Sequence, residues 1–396
     1  LEEITIDLLR LCRAAGAVFV KGKVIGLNTS EQKIFLEAKA PLYYDLLSLN
    51  IGSIPDSSIK GAKEYAVALK PIYPFIKKWR GFLSLSAEGR VVIVGAGAGG
   101  VELGLSIKGR QRKASVTVVG IELLPSHNKM AKSLAFKACS DRGVKLITGE
   151  KVLEIKKNEV VLENGKVIPS DFTILATSAE PHFFLKNSGI SLDKKGFVSV
   201  KKSLQSVSHP NVFAVGDCAS FEEKGVSKAG VYAVREAPVL FKNIESYLRD
   251  GKIAGFKEYK PQRSFLALIG CGDNTAIAVR DFWALRGKFF WGLKKWIDKR
   301  FMSKFLSAIE MKALMMKPSA DLMKCTACGG KTGAKVLYSS LAELKGIKVK
   351  ADDAVFLEEG SLFIQSVDGF FAPDISPYLL GKIIALHGFN DIIAKG

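Results

Sequence analysis

Five residues, Arg90-Val91-Val92-Ile93-Val94, run straight into Gly95-Ala96-Gly97-Ala98-Gly99-Gly100 and then into the helix-periodic Val101-Glu102-Leu103-Gly104-Leu105. A run apolar at successive positions predicts a strand buried on both faces, as in a parallel sheet. A strand that turns into a helix through Gly-x-Gly-x-x-Gly has few folds open to it. Gly95 permits the tight turn, Gly97 lets a pyrophosphate reach the backbone, and Gly100 lets helix and strand pack closely. The free N–H groups and positive end of the helix then face the diphosphate. Gly95, Gly97 and Gly100 are therefore candidate dinucleotide ligands; the bland alternative is a glycine-rich turn without one.

Further strands are read at 17–20, 33–36, 46–50, 115–119, 145–148, 160–162, 172–176 and 212–215, with a helix over 2–15. Alternation of strands and helices predicts an α/β fold with a parallel sheet. The second strand of the dinucleotide unit ends in Gly120, where an acid holding the adenosine ribose is usual. Glu122, two residues on, is the candidate. Arg110 and Arg112 precede that strand and no arginine stands at its end to receive a 2′-phosphate, which favours NADH over NADPH.

The run His209-Pro210-Asn211-Val212-Phe213-Ala214-Val215-Gly216-Asp217 delivers one carboxylate beside a glycine at a strand end. That pair can hydrogen-bond a ribityl chain and a pyrophosphate. With the following Lys228-Ala229-Gly230-Val231-Tyr232, it resembles the flavin-contacting strand and helix start of two-dinucleotide flavoproteins. These include type II NADH dehydrogenases, sulfide–quinone reductases and disulfide reductases. Segments 45–52 and 171–178 resemble the family's paired crossovers, which usually end in Thr-Gly; here the ends are Ile51-Gly52 and Thr177-Ser178. The resemblance implies a two-dinucleotide-binding-domain Rossmann-like fold with parallel sheets, and FAD and NAD(P)H as cofactors. It puts Gly216, Asp217, Gly230 and Val231 at the flavin. It also implies hydride transfer from NAD(P)H to FAD and on to a quinone or a sulfur or selenium acceptor. Val231 stands where type II NADH dehydrogenases carry a glutamine near the quinone. With Gly120 and Ser178 it keeps open a nucleotide-binding but redox-inactive form. The family's first glycine loop would precede Leu1, so the chain reads as a fragment.

At 396 residues, two or three domains are expected. The divisions read are 1–88 as part of the FAD domain, 89–179 as the NAD(P)H domain, and 180–255 as the return to the FAD domain. A basic, aromatic region follows at 256–317, then a separate segment at 318–396. Six scattered cysteines do not make a disulfide framework and point to a reducing, cytoplasmic setting. The net charge of +19 calls for anionic partners such as nucleotide phosphates or lipid headgroups, and no nucleic-acid signature accompanies it. Residues 283–316 interleave aromatics with lysine and arginine. That pattern fits a helix lying peripherally in a membrane interface, and equally a homodimer face with a basic rim.

The C-terminal stretch carries Cys328-Gly329-Gly330-Lys331, then Asp352-Asp353, Asp368 and Asn390-Asp391. Gly-Lys-Thr at 330–332 hints at a phosphate loop, but Cys325 stands where that loop needs its first glycine. The stretch resembles the start of selenophosphate synthase (selenide, water dikinase), including forms fused behind a flavoprotein. The resemblance implies an α+β fragment that uses ATP and Mg²⁺. Cys328 would be its selenium-handling thiol, Lys331 its phosphate-contacting cation, and Asp353, Asp368 and Asp391 its magnesium ligands. Carboxylates hold hard Mg²⁺, and a neighbouring lysine keeps a thiol nucleophilic.

Overall fold

The computed structural model describes residues 5–85, 88–222, 226–250, 255–315, 354–358 and 362–366. The chain divides into two compact units, Leu1–Ile6 with Val18–Lys304, and Asp7–Ala17 with Phe305–Gly396. In the second unit, α1 (Leu8–Ala15) starts later than the apolar pattern suggested. The Asp7 carboxylate accepts the Arg10 N–H at 3.0 Å and caps the helix there. Gly16, at φ 70°, ends it in the left-handed conformation.

The first unit begins without the strand expected at 17–20, where Val18 is 88% exposed and no ladder forms. An antiparallel meander follows, β1 (Val24–Asn28), β2 (Lys33–Leu36) and β3 (Leu42–Tyr43). Then come β4 (Leu47–Leu49), β5 (Ile54–Pro55), α2 (Ala62–Tyr65), β6 (Ala66–Ala68) and α3 (Ile72–Leu85). A strand–helix repeat occupies the next stretch: β7 (Arg90–Val94), α4 (Ala98–Arg110), β8 (Ser115–Gly120), α5 (Lys129–Arg142) and β9 (Val144–Thr148). A second meander, β10 (Val152–Lys156), β11 (Glu159–Leu162) and β12 (Val167–Pro169), precedes β13 (Phe172–Leu175).

These strands build a five-stranded parallel sheet in the order β6-β13-β7-β8-β9. Side chains alternate across a strand, so each face has its own core. Val91, Ile93, Val116 and Val118 pack with Leu105 of α4 and Ala135 of α5. Val92, Val94, Val119 and Leu175 pack on Ile155, Val160 and Leu162 of the second meander. The 160–162 strand therefore exists but pairs antiparallel, as a cover for the sheet. β6 lies before residue 89 yet supplies the edge strand of this sheet.

Beyond β13, β14 (Ala179–Glu180) pairs with β5. β15 (Val198–Val200) pairs in parallel with β17 (Ala219–Phe221), and β16 (Val212–Ala214) with β4. After α6 (Gly230–Asp250), an antiparallel sheet forms from β18 (Ala267–Gly270), β19 (Ala276–Arg280) and β20 (Trp283–Gly287). Its Ile269, Cys271, Ile277, Val279 and Ala284 join the core beneath α4 and α5. Much of the basic, aromatic region is thus structural cladding of the nucleotide domain. α7 (Lys288–Met315) follows. Lys294 Nζ lies 2.8 Å from Glu102 Oε1 of α4, and that carboxylate also accepts the Gly270 N–H at 3.1 Å. No helix among the described residues is long and apolar enough to cross a membrane.

In the second unit, β21 (Ala354–Glu358) and β22 (Leu362–Ser366) form an antiparallel hairpin. Cys328, Lys331, Asp353, Asp368 and Asp391 lie outside the described residues.

Candidate functional site: a glycine mouth beside an acid

The turn from β7 into α4 is shaped by what glycine lacks. Gly95 sits at φ 119°, and a Cβ on it would fall 2.2 Å from the Ala176 carbonyl oxygen. A Cβ on Gly100 would fall 1.9 Å from the Gly95 carbonyl oxygen. Gly97 and Gly99 face open space, with no atom within 4 Å of an added Cβ. Gly97 is the N-cap of α4, and no side chain caps the helix. Its first N–H groups are therefore left for a ligand, and the positive end of the helix favours an anion. Gly95, Gly97 and Gly100 come together as expected, in a mouth that fits a diphosphate.

One wall of this mouth is the end of β8. The Gly95 N–H donates to Val119 O at 2.8 Å, and the Leu124 N–H to Ala96 O at 2.9 Å. A Cβ at Gly120 would lie 2.9 Å from Ala96 N, so the usual acid has no room there. Glu122 is the nearby acid, and it is ion-paired with Lys132 of α5.

The second group of residues gathers at the end of β16. Gly216 takes φ 69°, and its N–H donates to the Glu236 carboxylate at 2.6 Å. Asp217 accepts from Ser53 Oγ at 3.0 Å and from Lys70 Nζ at 3.2 Å. Gly230 opens α6 with nothing within 4 Å of an added Cβ. Val231 packs in a cluster with Leu204, Val215 and Tyr232. A carboxylate flanked by a hydroxyl and an ammonium, beside a left-handed glycine and an open helix start, fits the hydroxyl-rich ribityl and phosphate portions of a flavin dinucleotide. Cys218 is fully buried, and burial pushes its thiol pKa up, which keeps it unreactive. No group of three or more His, Cys, Asp or Glu among the described residues could hold a metal.

Lys70 connects the two groups. It follows β6, whose partner β13 ends beside Gly95, and it reaches across to Asp217. The motifs revealed neither Ser53, one residue past the first crossover, nor Lys70, just after β6, both far from Asp217 in sequence. Glu236 was missed as well. Its sole signal is a carboxylate in an apolar stretch of helix, and burial raises its pKa.

A glycine loop opening a helix from a parallel sheet, and an acid at a second strand end in the same unit, suit the Rossmann-like class of FAD-dependent NAD(P)H oxidoreductases. The chain belongs to the pyridine nucleotide-disulphide oxidoreductase family, whose pattern matches residues 11–237. It is 27% identical over 284 residues to ferroptosis suppressor protein 1 of Taeniopygia guttata, covering 66% of this chain and 71% of that one. A Dictyostelium discoideum protein described as a probable NADH dehydrogenase is 26% identical over 323 residues, 70% and 69% of the two chains. Among solved structures, the sulfide:quinone oxidoreductase of Aquifex aeolicus superposes with a TM-score of 0.62 at 18% identity, over 78% of this chain and 80% of the other. NDH2 of Plasmodium falciparum in complex with NADH gives a TM-score of 0.62 at 15% identity, over 78% and 91%. At such identities the superpositions speak to the fold. These matches are to the flavoprotein; none of them is to a selenophosphate synthase.

Proposed function

We propose that this chain oxidises NADH and sends the electrons to a quinone or to a sulfur or selenium species. The observation that supports the reading is the Lys70–Asp217 contact, which ties the acid at the end of β16 to the edge of the parallel sheet whose inner strand β7 opens into the glycine loop. FAD, when bound, supplies the two-electron acceptor. The chain's own residues bind and orient. The α4 N-terminus takes a diphosphate, and Ser53 and Lys70 fix the Asp217 carboxylate. Glu236 holds the Gly216 N–H and with it the turn. Among the relatives' names, NADH dehydrogenase supports NADH as the donor and sulfide:quinone oxidoreductase supports a quinone as the acceptor. The test is spectroscopic: the full-length protein is yellow, and anaerobic NADH bleaches it. A colourless protein indifferent to NADH sinks the reading, and a yellow one that NADH cannot bleach favours the redox-inactive form.

A second reading concerns 318–396 and is supported by sequence alone. There the Cys328–Lys331 tetrad with Asp353, Asp368 and Asp391 would serve selenide-dependent phosphoryl transfer of the selenophosphate synthase kind, with Mg²⁺ and ATP as its requirements. Selenide-dependent ATP consumption, lost in Cys328→Ala, is the expected result. The same consumption in that variant would remove the thiol from the account.

The partner proposed for α7 is an anionic lipid surface. Phe289 and Trp296 are exposed at 75% and 55%, and Lys295 and Arg300 sit over the Trp291 and Trp296 rings. A homodimer through the same face is the competing outcome, read by sedimentation.

A further inference from the structure

Behind the Gly216–Asp217 turn lies a buried carboxyl that the dinucleotide pattern does not call for. Glu236, on α6, is 2% exposed, and its carboxylate accepts the Gly216 N–H at 2.6 Å, one residue from Asp217. Ser53 and Lys70 both go to Asp217. The cation that faces Glu236 is Lys228, and it is held elsewhere. Its ammonium donates to Ala219 O at 2.5 Å and lies 4.0 Å from the centre of the Phe197 ring. Asp193, Asp217 and Cys218 also act on that ammonium. Tyr232 and Arg235 stand on α6 itself, and Tyr259 comes in from the segment after it. The Tyr259 hydroxyl is buried without a hydrogen-bond partner; burial first, then the Glu236 charge, push its pKa up to about 12. Burial raises the Glu236 pKa as well. The Gly216 N–H and then Lys228 offset part of that rise, and the Asp217 charge adds to it.

From this cluster we infer that Glu236 is a redox-linked proton site, taking up a proton when the flavin accepts a hydride and giving it back when the electrons leave. The inference rests on the reading of Asp217 and the start of α6 as the flavin site. A hydride from NADH brings two electrons and one proton, and leaves the flavin one negative charge richer. An added anion near a buried carboxylate disfavours its charged form, so Glu236 binds H⁺ from solvent. Once both electrons have passed on, that anion is gone and Glu236 releases the proton. The electron count remains that of the hydride; the proton count gains one.

The experiment is a spectroelectrochemical titration of the full-length holoprotein across pH. Each proton coupled to a two-electron couple contributes about 30 mV per pH unit. Between the Glu236 pKa of the oxidised protein and the higher one of the reduced protein, the parent's slope should rise from about 30 toward about 60 mV per pH unit. Glu236→Gln should keep the shallow slope throughout. Lys228→Met, which removes the cation that holds the Glu236 pKa down, should move the steep window to higher pH. A readout on the parent alone is the reduced-minus-oxidised infrared difference spectrum, in which the C=O stretch of a protonated carboxylic acid should appear inside the window. A yellow parent with the shallow slope at every pH and no acid band overturns the inference and leaves the flavin reading intact. Steepening that survives in Glu236→Gln also overturns it. A colourless full-length protein removes the flavin reading, and the inference goes with it before any potential is measured.

Discussion

A methyl group placed on Gly97 meets open space, whereas the same group on Gly100 lands 1.9 Å from the Gly95 carbonyl oxygen. The two alanine variants therefore separate binding from folding. Gly97→Ala keeps its melting temperature and loses affinity for ADP-ribose, because the methyl projects where a diphosphate would lie. Gly100→Ala is destabilised by about 1–3 kcal/mol, the usual cost of forcing atoms into a packed site. Thermal melts and titrations of the pair read both effects. Glu236 gives a prediction in pH. Its folded-state pKa is raised by burial above the ordinary 4.5. Below that value the carboxyl is protonated in both states and costs nothing. As pH climbs toward and through the folded pKa, the unfolded state releases its proton more readily, and stability drains away. Glu236→Gln keeps an oxygen for the Gly216 N–H and should be more stable than the parent at pH 8 but equal to it at pH 4, by urea unfolding. Equal stability at both values would mean that the buried carboxylate is better compensated than its environment indicates.

At the scale of elements, α7 is tied to the nucleotide helix by Lys294 and Glu102, both about a quarter to a third exposed. Lys294→Met should cost about 1 kcal/mol and speed hydrogen exchange at the Gly270 amide, which shares the same carboxylate. Exchange confined to α7 would show that β18 holds without that carboxylate. The strands that sequence made legible are those with long apolar runs, such as Arg90–Val94 and Phe172–Leu175, where burial on both faces leaves a one-dimensional trace. Residues 160–162 have the same apolar trace, but the trace carries no pairing direction, and they turned out to be meander. Ala66-Val67-Ala68 left no trace at all, since two alanines in three residues have little hydrophobic signal. At the site, the glycines and Asp217 stood out by spacing. Lys70, Ser53 and Lys132 did not, because each is joined to its partner only through folding.

For the whole molecule, the net charge of +19 means that long-range attraction to anionic surfaces weakens with salt. Co-flotation with phosphatidylserine vesicles should fall between low and physiological ionic strength. It should fall again on changing the exposed Phe289 and Trp296 to serine. Trp291 is a poor choice for that test, because its ring edge packs 3.2 Å from the position of a Gly270 Cβ and its loss would disturb the fold. Flotation that ignores both salt and substitution would turn attention to self-association. The pairing of β6 with β13 also has a consequence for synthesis. Residues 66–68 leave the ribosome well before the strand beside which they belong, with the whole glycine mouth emerging in between. The nascent polypeptide must carry that short segment unpaired until 172–175 appear, so the five-stranded sheet cannot be completed before then. A chaperone that shields early-exposed segments would be expected to engage this protein around the middle of its translation.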